Sequence, residues 1–317
     1  MKSNTPKKIE IIKKTLPYFK SHITSCRLCP RNCRVNRKKQ RGFCKMEDEI
    51  IIYTALLHKG EEPALVGNRG SGTVFFSGCN LRCIYCQNYK FSHLLEGKNI
   101  TTEDLARLFL RLQERGALNI NLVTPTHFLP QILESLLIAF KKGLNIPIVY
   151  NTSGYEKKEI IQKLDKIVDI YLVDMKYYSK EASIVGSKTA DYPFYNKEAV
   201  LEMYRQKKTL LWEGEILKEG LIIRHLILPG LVEESIKIIK WIEENTPHAL
   251  VSLMSQYRPY FKAERHPLLG RTINYQEYKE AKNYLENTHL EGWIQEFLPP
   301  QDLAGPYLLP LDKVKIL

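Results

Sequence analysis

Seven cysteines form two groups near the start of the chain, and the spacing of the second group suits an iron–sulfur cluster. Its three members lie within eight residues: Cys79, Cys83 and Cys86. Iron–sulfur clusters are held by Cys thiolates. Three thiolates on one short loop can hold three of the four irons of a cubane, so the fourth iron would stay open to a small molecule. A zinc loop or unconnected core thiols are the competing interpretations, but zinc favours four ligands in pairs.

The first group has four cysteines and could close a metal coordination sphere. Its members are Cys26, Cys29, Cys33 and Cys44, and seven Lys or Arg and no acid lie between the first and the last. We expect these charges to lower the pKa of neighbouring thiols. A second iron–sulfur cluster and a structural zinc site both remain open, because only the first pair has the usual zinc spacing. A disulfide or reactive thiols would be less typical of a reducing compartment.

The basic charge of the protein is concentrated at the N-terminus. The 317-residue chain has a formal net charge of +12, and residues 1–45 contain 14 Lys or Arg and one acid. The remaining residues are therefore close to neutral. The overall charge does not by itself predict nucleic-acid binding by the main domain.

Neither a membrane span nor a signal peptide is expected. The chain has no run of about 18 apolar residues, and residues 1–10 are polar and lack the apolar stretch of a signal peptide. We therefore expect a cytoplasmic protein.

Strand and helix patterns alternate after the three-cysteine loop. The apolar run at residues 74–76 predicts a strand that ends at this loop. Thr101 and Asp104 resemble a capping box. Strands are predicted at 118–123, 146–150, 170–173, 221–228 and 250–254, and helices at 105–116, 128–142, 156–166, 197–206, 232–244 and 275–286. About six such units favour parallel strands with crossover helices.

Before the loop, residues 7–20 predict a helix and residues 49–57 a strand. Residues 58–63 contain Gly and Pro and predict a turn. Its paired acids, Glu61 and Glu62, could face a substrate or a metal, but we favour the interpretation that they are solvated side chains of that turn.

Polar residues follow each predicted parallel strand. Active sites of parallel β/α folds gather at the carboxyl ends of the strands. Beyond the cysteine loop, these ends carry Thr124, Pro125, Thr126 and His127; Asn151, Thr152, Ser153 and Gly154; Asp174, Met175 and Lys176; Arg224 and His225; and Ser255, Gln256, Tyr257 and Arg258. As a set they predict a pocket.

The three-cysteine loop resembles the signature of the radical SAM superfamily. That signature includes an aromatic residue just before the last Cys, where Tyr85 stands here. The resemblance implies a partial (β/α)6 TIM-like barrel and a [4Fe-4S] cluster whose open iron chelates S-adenosylmethionine (SAM). It also implies reductive cleavage of SAM to a 5′-deoxyadenosyl radical that takes a hydrogen atom from a substrate. Tyr85 would pack on the adenine.

From about residue 26 to residue 260 the chain is similar to the activating-enzyme branch of that superfamily, which includes pyruvate formate-lyase activating enzyme. The similarity is carried by residues 77–88, 152–155 and 174–176. It resembles most the homologues with an N-terminal Cys cluster. The resemblance implies SAM contacts from Asn151, Ser153, Asp174 and Lys176.

The chain departs from this branch at the end of the second strand. The family has Gly-Gly-Glu-Pro there, which receives the methionine amino group, whereas this chain has Pro125-Thr126-His127-Phe128. Thr124, Thr126 and His127 are the candidates to accept that hydrogen bond. The difference indicates a subgroup separate from the true activating enzymes.

The resemblance also implies partners. These are SAM, a flavodoxin- or ferredoxin-like electron donor, and a substrate that is either a protein glycine, as for glycyl-radical activases, or a small molecule or peptide. Nucleic acid is not an expected partner of such an enzyme. The alternative from another functional class is a non-enzymatic zinc protein that contacts nucleic acid through its basic N-terminus.

We divide the chain into three parts. Residues 1–70 are predicted to form a basic, Cys-rich metal-binding segment, residues 71–300 the radical SAM core, and residues 301–317 a C-terminal tail.

Overall fold

Strands and helices alternate along most of the chain in the computed structural model, which describes residues 5–300 and 305–314. In these residues the strands are β1 (Ile50–His58), β2 (Ser71–Phe76), β3 (Lys98–Ile100), β4 (Ile120–Val123), β5 (Ile148–Thr152), β6 (Ile170–Asp174), β7 (Leu211–Glu213), β8 (Ile216–Leu226), β9 (Leu250–Met254) and β10 (Gly292–Ile294). The helices are α1 (Thr5–Ser21), α2 (Pro63–Val66), α3 (Tyr89–Ser92), α4 (Thr102–Glu114), α5 (Leu129–Lys141), α6 (Lys158–Gln162), α7 (Lys180–Ser187), α8 (Tyr192–Gln206), α9 (Val232–Asn245) and α10 (Tyr275–Glu286).

One sheet contains all of these strands except β7, in the order β10-β9-β8-β6-β5-β4-β2-β1-β3. From β2 to β10 every neighbouring pair is parallel, whereas β1 runs antiparallel to β2 and β3. Within the described residues β10 and β3 are the two edges and do not pair, so the barrel is open. The predicted α/β fold, a partial barrel with six β/α units, is confirmed.

The parallel strands are apolar because both of their faces are covered. All residues of β2, β4, β5 and β9 are buried, which explains why near-continuous apolar runs predicted them. The predicted capping box at the start of α4 is also confirmed, since Thr101 and Asp104 bond each other's backbone N–H groups. The three-residue strands β3, β7 and β10 were not predicted, because each is too short and too exposed to show a pattern.

Several helical predictions differ from the structure: α8 begins at Tyr192 rather than at residue 197, and the short helices α2 and α3 were not predicted. Only residues 158–162 of the predicted helix at 156–166 are helical, because Glu156 is drawn into a buried hydrogen-bond network instead. Helix α7 was missed; Ser179 caps it by accepting a hydrogen bond from the backbone N–H of Ala182.

The basic N-terminal segment packs on the barrel. Helix α1 lies against α5, and Lys8 forms a buried ion pair with Asp169. Arg37 is fully buried and donates hydrogen bonds to the backbone carbonyls of His127 and Glu47. Several of the N-terminal charges therefore hold the segment to the core. The division at residues 1–70, 71–300 and 301–317 stays a prediction; residues 301–304 and 315–317 lie outside the described residues.

None of the helices in the described part of the chain has both the length and the apolar character needed to cross a membrane.

The interpretation of Glu61 and Glu62 as solvated is wrong. The side chain of Glu61 is 6% exposed and lies 3.3 Å from both His58 and Arg224. Glu62 is also buried, and burial raises the pKa of its carboxyl. The residues do lie in a turn, but the turn folds inward over the sheet, because Arg224 on β8 provides a counter-charge there.

Glu277 ties the loop after β8 to α10. It accepts hydrogen bonds from the backbone N–H groups of Gly230 (2.6 Å) and Asn274 (2.8 Å) and from the guanidinium of Arg271 (2.7 Å). Burial alone would raise the pKa of Glu277, but the hydrogen bonds from Arg271 and the two backbone groups outweigh it and lower the pKa to about 2.

We expect Glu277→Gln to lower the free energy of unfolding by about 2–3 kcal/mol near neutral pH. Because the folded pKa lies below the ordinary value of 4.5, the stabilisation is complete above that value and is lost as the pH falls toward 2. The difference between the two proteins in urea unfolding should therefore shrink with acidification. Glu286→Gln, an exposed change on the same helix, is the control, and an equal effect of both changes at every pH would contradict the assignment.

Candidate functional site

A cavity of about 960 Å³, its open mouth included, lies at the carboxyl ends of the parallel strands. It brings together most of the polar residues predicted to meet there. Its lining includes Cys79, Cys83, Tyr85, Cys86, Gln87, Asn88, Thr124, Asn151, Thr152, Ser153, Asp174, Lys176, Arg224, Gln256, Tyr257 and Arg258. Three thiols and a set of charged and amide groups therefore share one space.

The loop between β2 and α3 places the three thiols. It begins at Gly78, which has a positive φ of 83°. A Cβ on Gly78 would lie 2.5 Å from Met46 and 2.8 Å from the carbonyl oxygen of Cys44, so only glycine fits. The loop then turns so that the backbone N–H groups of Leu81 and Arg82 point at the sulfur of Cys79, at 3.4 and 3.5 Å.

The buried thiols of this loop need a cationic partner to ionise. Burial raises the pKa of Cys83 to about 12 and that of Cys86 to about 11, although the charge of Lys176 acts in the opposite direction on both. Reactive cysteines have lowered pKa values, so these are not free nucleophiles. A coordinated metal deprotonates a thiol outright, and this donor set therefore fits an iron–sulfur cluster.

Among the described residues, no group of three or more His, Cys, Asp or Glu side chains is placed so that it could hold a metal ion.

A buried charge network forms the wall opposite the thiols. Arg224 donates hydrogen bonds to Asp174 (2.8 Å) and Asn151 (2.8 Å), and Lys176 donates to the other oxygen of Asp174 (2.6 Å). Burial would raise the pKa of Asp174, but the charges of Arg224 and Lys176 outweigh burial and hold the pKa below its usual range. The carboxylate is therefore ionised, and both cations keep their charge.

Two further predicted contacts reach the cavity. Ser153 lines it, and the hydroxyl of Ser153 is buried without a hydrogen-bond partner among the described residues. Such an unpaired buried group is a candidate to bond a ligand. Thr124 also lines the cavity, in the left-handed region with φ 57°. The ring of Tyr85 lies against Tyr257, and its hydroxyl is 2.8 Å from that of Tyr177.

Thr126 and His127 do not line the cavity. A 3₁₀ turn at residues 126–128 buries both side chains. Thr126 bonds Glu156, and the Nε2 atom of His127 lies 2.7 Å from the carbonyl oxygen of Ser77. Burial lowers the pKa of His127 to about 3, so its ring is neutral. The assignment of Thr126 and His127 as SAM contacts stays a prediction, and their position outside the cavity does not support it.

The four N-terminal cysteines lie beside the three-cysteine loop. A Cβ on Gly42 would lie 3.6 Å from the sulfur of Cys44 and 3.7 Å from that of Cys33, so these two sulfurs flank it. Cys29 interacts electrostatically with Cys26 and Cys44. Burial raises the pKa of Cys29 and of Cys44; the charge of Arg37 in the basic run acts in the predicted direction and lowers the pKa of Cys44, but burial outweighs it.

Arg31 joins the two cysteine segments. Its guanidinium donates hydrogen bonds to the carbonyl oxygen of Asn80 at 2.9 Å and to Thr189 at 2.6 Å. The same group lies 3.8 Å from the ring centre of Phe43. The N-terminal segment therefore supports the backbone of the three-cysteine loop directly.

Sequence analysis missed three residues of this region. Glu61 completes the pairing of Arg224, and Tyr177 places its hydroxyl 3.8 Å from the sulfur of Cys83. Glu156 lies buried between Thr126 and Thr152, and burial raises its pKa to about 7. Of the three, only Glu61 is marked in the sequence, by its position next to a second acid before Pro63. The positions of Tyr177 and Glu156 depend on contacts between segments that are distant in the chain.

Arg224→Met should destabilise the protein by about 3 kcal/mol or more, because it removes the cation that the two buried carboxylates share and leaves Asp174 with Lys176 alone and Glu61 with His58 alone. Urea unfolding of the metal-free protein measures this. Arg107→Met is the matched control: its pair with Asp104 is more than half exposed on the arginine side, and we expect a change below about 1 kcal/mol. Equal effects of the two changes would show that the network does not stabilise the fold.

Comparison with known proteins gives consistent results. The model of the Radical SAM superfamily matches residues 73–242. An uncharacterized protein of Methanocaldococcus jannaschii is 33% identical over 282 residues, which cover 86% of this chain and 77% of that protein. The pyruvate formate-lyase-activating enzyme of Clostridium pasteurianum is 26% identical over 259 residues, 76% of this chain and 98% of that enzyme. The crystal structure of Streptococcus suis SuiB bound to S-adenosylmethionine is 15% identical, with a TM-score of 0.47, and the match covers 69% of this chain and 45% of that one.

Proposed function

Because the chain belongs to the radical SAM superfamily, we propose that it is an enzyme that holds a [4Fe-4S] cluster on Cys79, Cys83 and Cys86 and cleaves SAM reductively. The observation that carries this proposal is the shared cavity: the three thiols open onto the same space as Asp174 and Lys176. When bound and reduced, the cluster supplies the electron that splits the sulfonium of SAM and yields a 5′-deoxyadenosyl radical.

The residues of the chain bind and orient the cofactor. Lys176 has three N–H donors and gives one to Asp174, so it can donate others to a carboxylate. The unpaired hydroxyl of Ser153 and the amide of Asn151 supply neutral contacts from the neighbouring strand end. Tyr85 supplies an aromatic face. Tyr85 and Asn151 are buried and the side chain of Lys176 is 17% exposed, which limits the access of water to the reacting centre.

We propose that Cys26, Cys29, Cys33 and Cys44 hold a second iron–sulfur cluster, with zinc as the alternative. The sulfurs of Cys33 and Cys44 flank Gly42, and Cys29 interacts with Cys26 and Cys44, which supports a metal site. An electron donor like flavodoxin or ferredoxin, and a location in the cytoplasm, also remain predictions.

The alternative of a non-enzymatic zinc protein that contacts nucleic acid was based on the basic N-terminus. Three of its basic residues, Lys8, Arg31 and Arg37, contact protein groups instead, which weakens that alternative.

Cys83→Ala should reduce SAM cleavage to background, because it removes one of three ligands of the proposed cluster. The measurement is 5′-deoxyadenosine release after anaerobic reconstitution with iron and sulfide, together with iron content. Cys33→Ala is the matched control: it should lower the metal content of the N-terminal set and retain cleavage driven by a strong chemical reductant. Cleavage that persists in Cys83→Ala would remove this loop from the site.

A glycyl-radical activase is the second candidate function. It is favoured by the match along 98% of the length of the Clostridium enzyme. Incubation with SAM, reductant and a candidate glycyl-radical protein should then produce a protein radical visible by electron paramagnetic resonance. Release of 5′-deoxyadenosine without any protein radical would count against the activase role and leave SAM cleavage intact.

A further inference from the structure

A second chamber adjoins the cavity that contains the thiols. Its volume is about 860 Å³, its mouth included, and it shares Gln87, Asn88, Val123, Asn151, Arg224 and Gln256 with the first cavity. The two spaces therefore adjoin each other. Gln87 and Asn88 follow Cys86 directly, so this chamber starts beside the third thiol.

We propose that this second chamber binds the substrate, and that the substrate is a small uncharged molecule with several hydroxyl groups, such as a sugar or polyol. This inference rests on the proposed function, because SAM would occupy the first cavity and deliver its radical toward the second.

The hydrogen-bonding groups of the chamber suit such a ligand. Five carboxamide side chains line it: Gln87, Asn88, Asn151, Gln256 and Gln295. A carboxamide has two N–H donors and an oxygen acceptor. A hydroxyl group both donates and accepts, so a polyol can bond several carboxamides at once.

The charges of the chamber are already paired with one another. Among the described residues its ionisable lining groups are His58, Glu61 and Arg224. Each side-chain nitrogen of Arg224 has a protein partner: Asp174, Glu61 or Asn151. Both oxygens of Glu61 also have a positive or polar neighbour, at 3.3 Å from His58 and from Arg224.

Among the described residues of the wall, a charged ligand would consequently find no unpaired counter-charge. Burying a charge without a partner is costly, so the chamber disfavours phosphates, carboxylates and amines. Burying a neutral ligand does not have this energetic cost.

The C-terminal segment forms one wall of the chamber. The main chain passes so close to Asn88 at Gly305 that a Cβ there would clash with it. Lys90 donates a hydrogen bond to the carbonyl oxygen of Pro306 (3.0 Å), and Tyr53 donates one to that of Leu308 (3.0 Å). Gly305 and Leu308 line the chamber. A loop from another protein would have to displace these contacts, whereas a small molecule fits beside them.

The test is calorimetric titration of the full-length holoenzyme, reconstituted anaerobically, saturated with SAM and without reductant. The neutral probes are glucose, myo-inositol and sucrose; the charged probes are glucose 6-phosphate, gluconate and glucosamine; a glycine-containing peptide is the probe for a protein substrate. We expect at least one neutral probe to bind, and its charged counterparts to bind about 100-fold more weakly or not at all.

Gln295 is the residue to change, since it lines only the second chamber. Gln295→Leu should weaken the neutral ligand about three- to tenfold, as expected for loss of one hydrogen bond. Gln295 also accepts a hydrogen bond from the backbone N–H of Ser255, so Gln295→Glu, which keeps that acceptor, is the second variant and should weaken binding as well. Gln276→Leu, on the exposed face of α10, is the matched control and should leave the affinity unchanged.

Two results would overturn this inference without affecting the proposed function. One is tighter binding of the charged probes or of the peptide than of the neutral probes. The other is that an enzyme that binds SAM binds none of the neutral probes. Failure to bind SAM itself would overturn the proposed function and this inference with it.

Discussion

One buried guanidinium connects the parts of this active-site wall. Arg224 on β8 contacts Asp174 at the end of β6, Asn151 on β5 and Glu61 in the turn after β1. Three strand ends and an inward-folded turn thus share one cation. An unpaired carboxylate in this position would be expensive, so the pairing fixes where each strand end lies. Because Arg224 also neutralises Asp174, Lys176 is not its sole counter-charge. The remaining N–H groups of Lys176 can therefore face the thiols.

The three-cysteine loop depends on a second constraint, which comes from outside the barrel. The N-terminal segment presses Met46 and the backbone of Cys44 against Gly78, and Arg31 bonds the carbonyl oxygen of Asn80. A side chain at position 78 would push the two segments apart. The loop is therefore held from both sides, by β2 beneath it and by the other cysteine segment beside it. This contact also places the two proposed metal sites next to each other, a short path for electrons between them.

Charge pairing distinguishes the two adjoining cavities chemically. In the first cavity, Lys176 has N–H donors beyond the one it gives to Asp174, and three thiols share the space. In the second, Glu61 and Arg224 neutralise each other, and carboxamides provide most of the other polar groups among the described lining residues. Under the proposals made above, the fold would hold a charged cofactor and a neutral substrate side by side, with the network around Arg224 on the boundary between them.

The family, the parallel α/β architecture and the three-thiol loop could be predicted from the sequence, because each depends on residues that are close together in the chain. Cys79, Cys83 and Cys86 share one loop, and strands such as β6 show their burial as an apolar run. The prediction that the strand ends bring residues of one cavity together was also correct for Asn151, Ser153, Asp174 and Lys176. Their role in binding SAM remains a proposal.

Only the tertiary structure decided which of the other polar residues meet. Thr126 and His127 follow a strand as Ser153 does, yet a 3₁₀ turn buries them away from the cavity. Glu61 lies in a turn whose polar composition is typical of solvated turns, yet it pairs with an arginine 163 positions later. The physical reason is that spacing within a loop is set by the covalent chain, whereas pairing across a sheet depends on strand order, register and burial, to which all of the chain contributes.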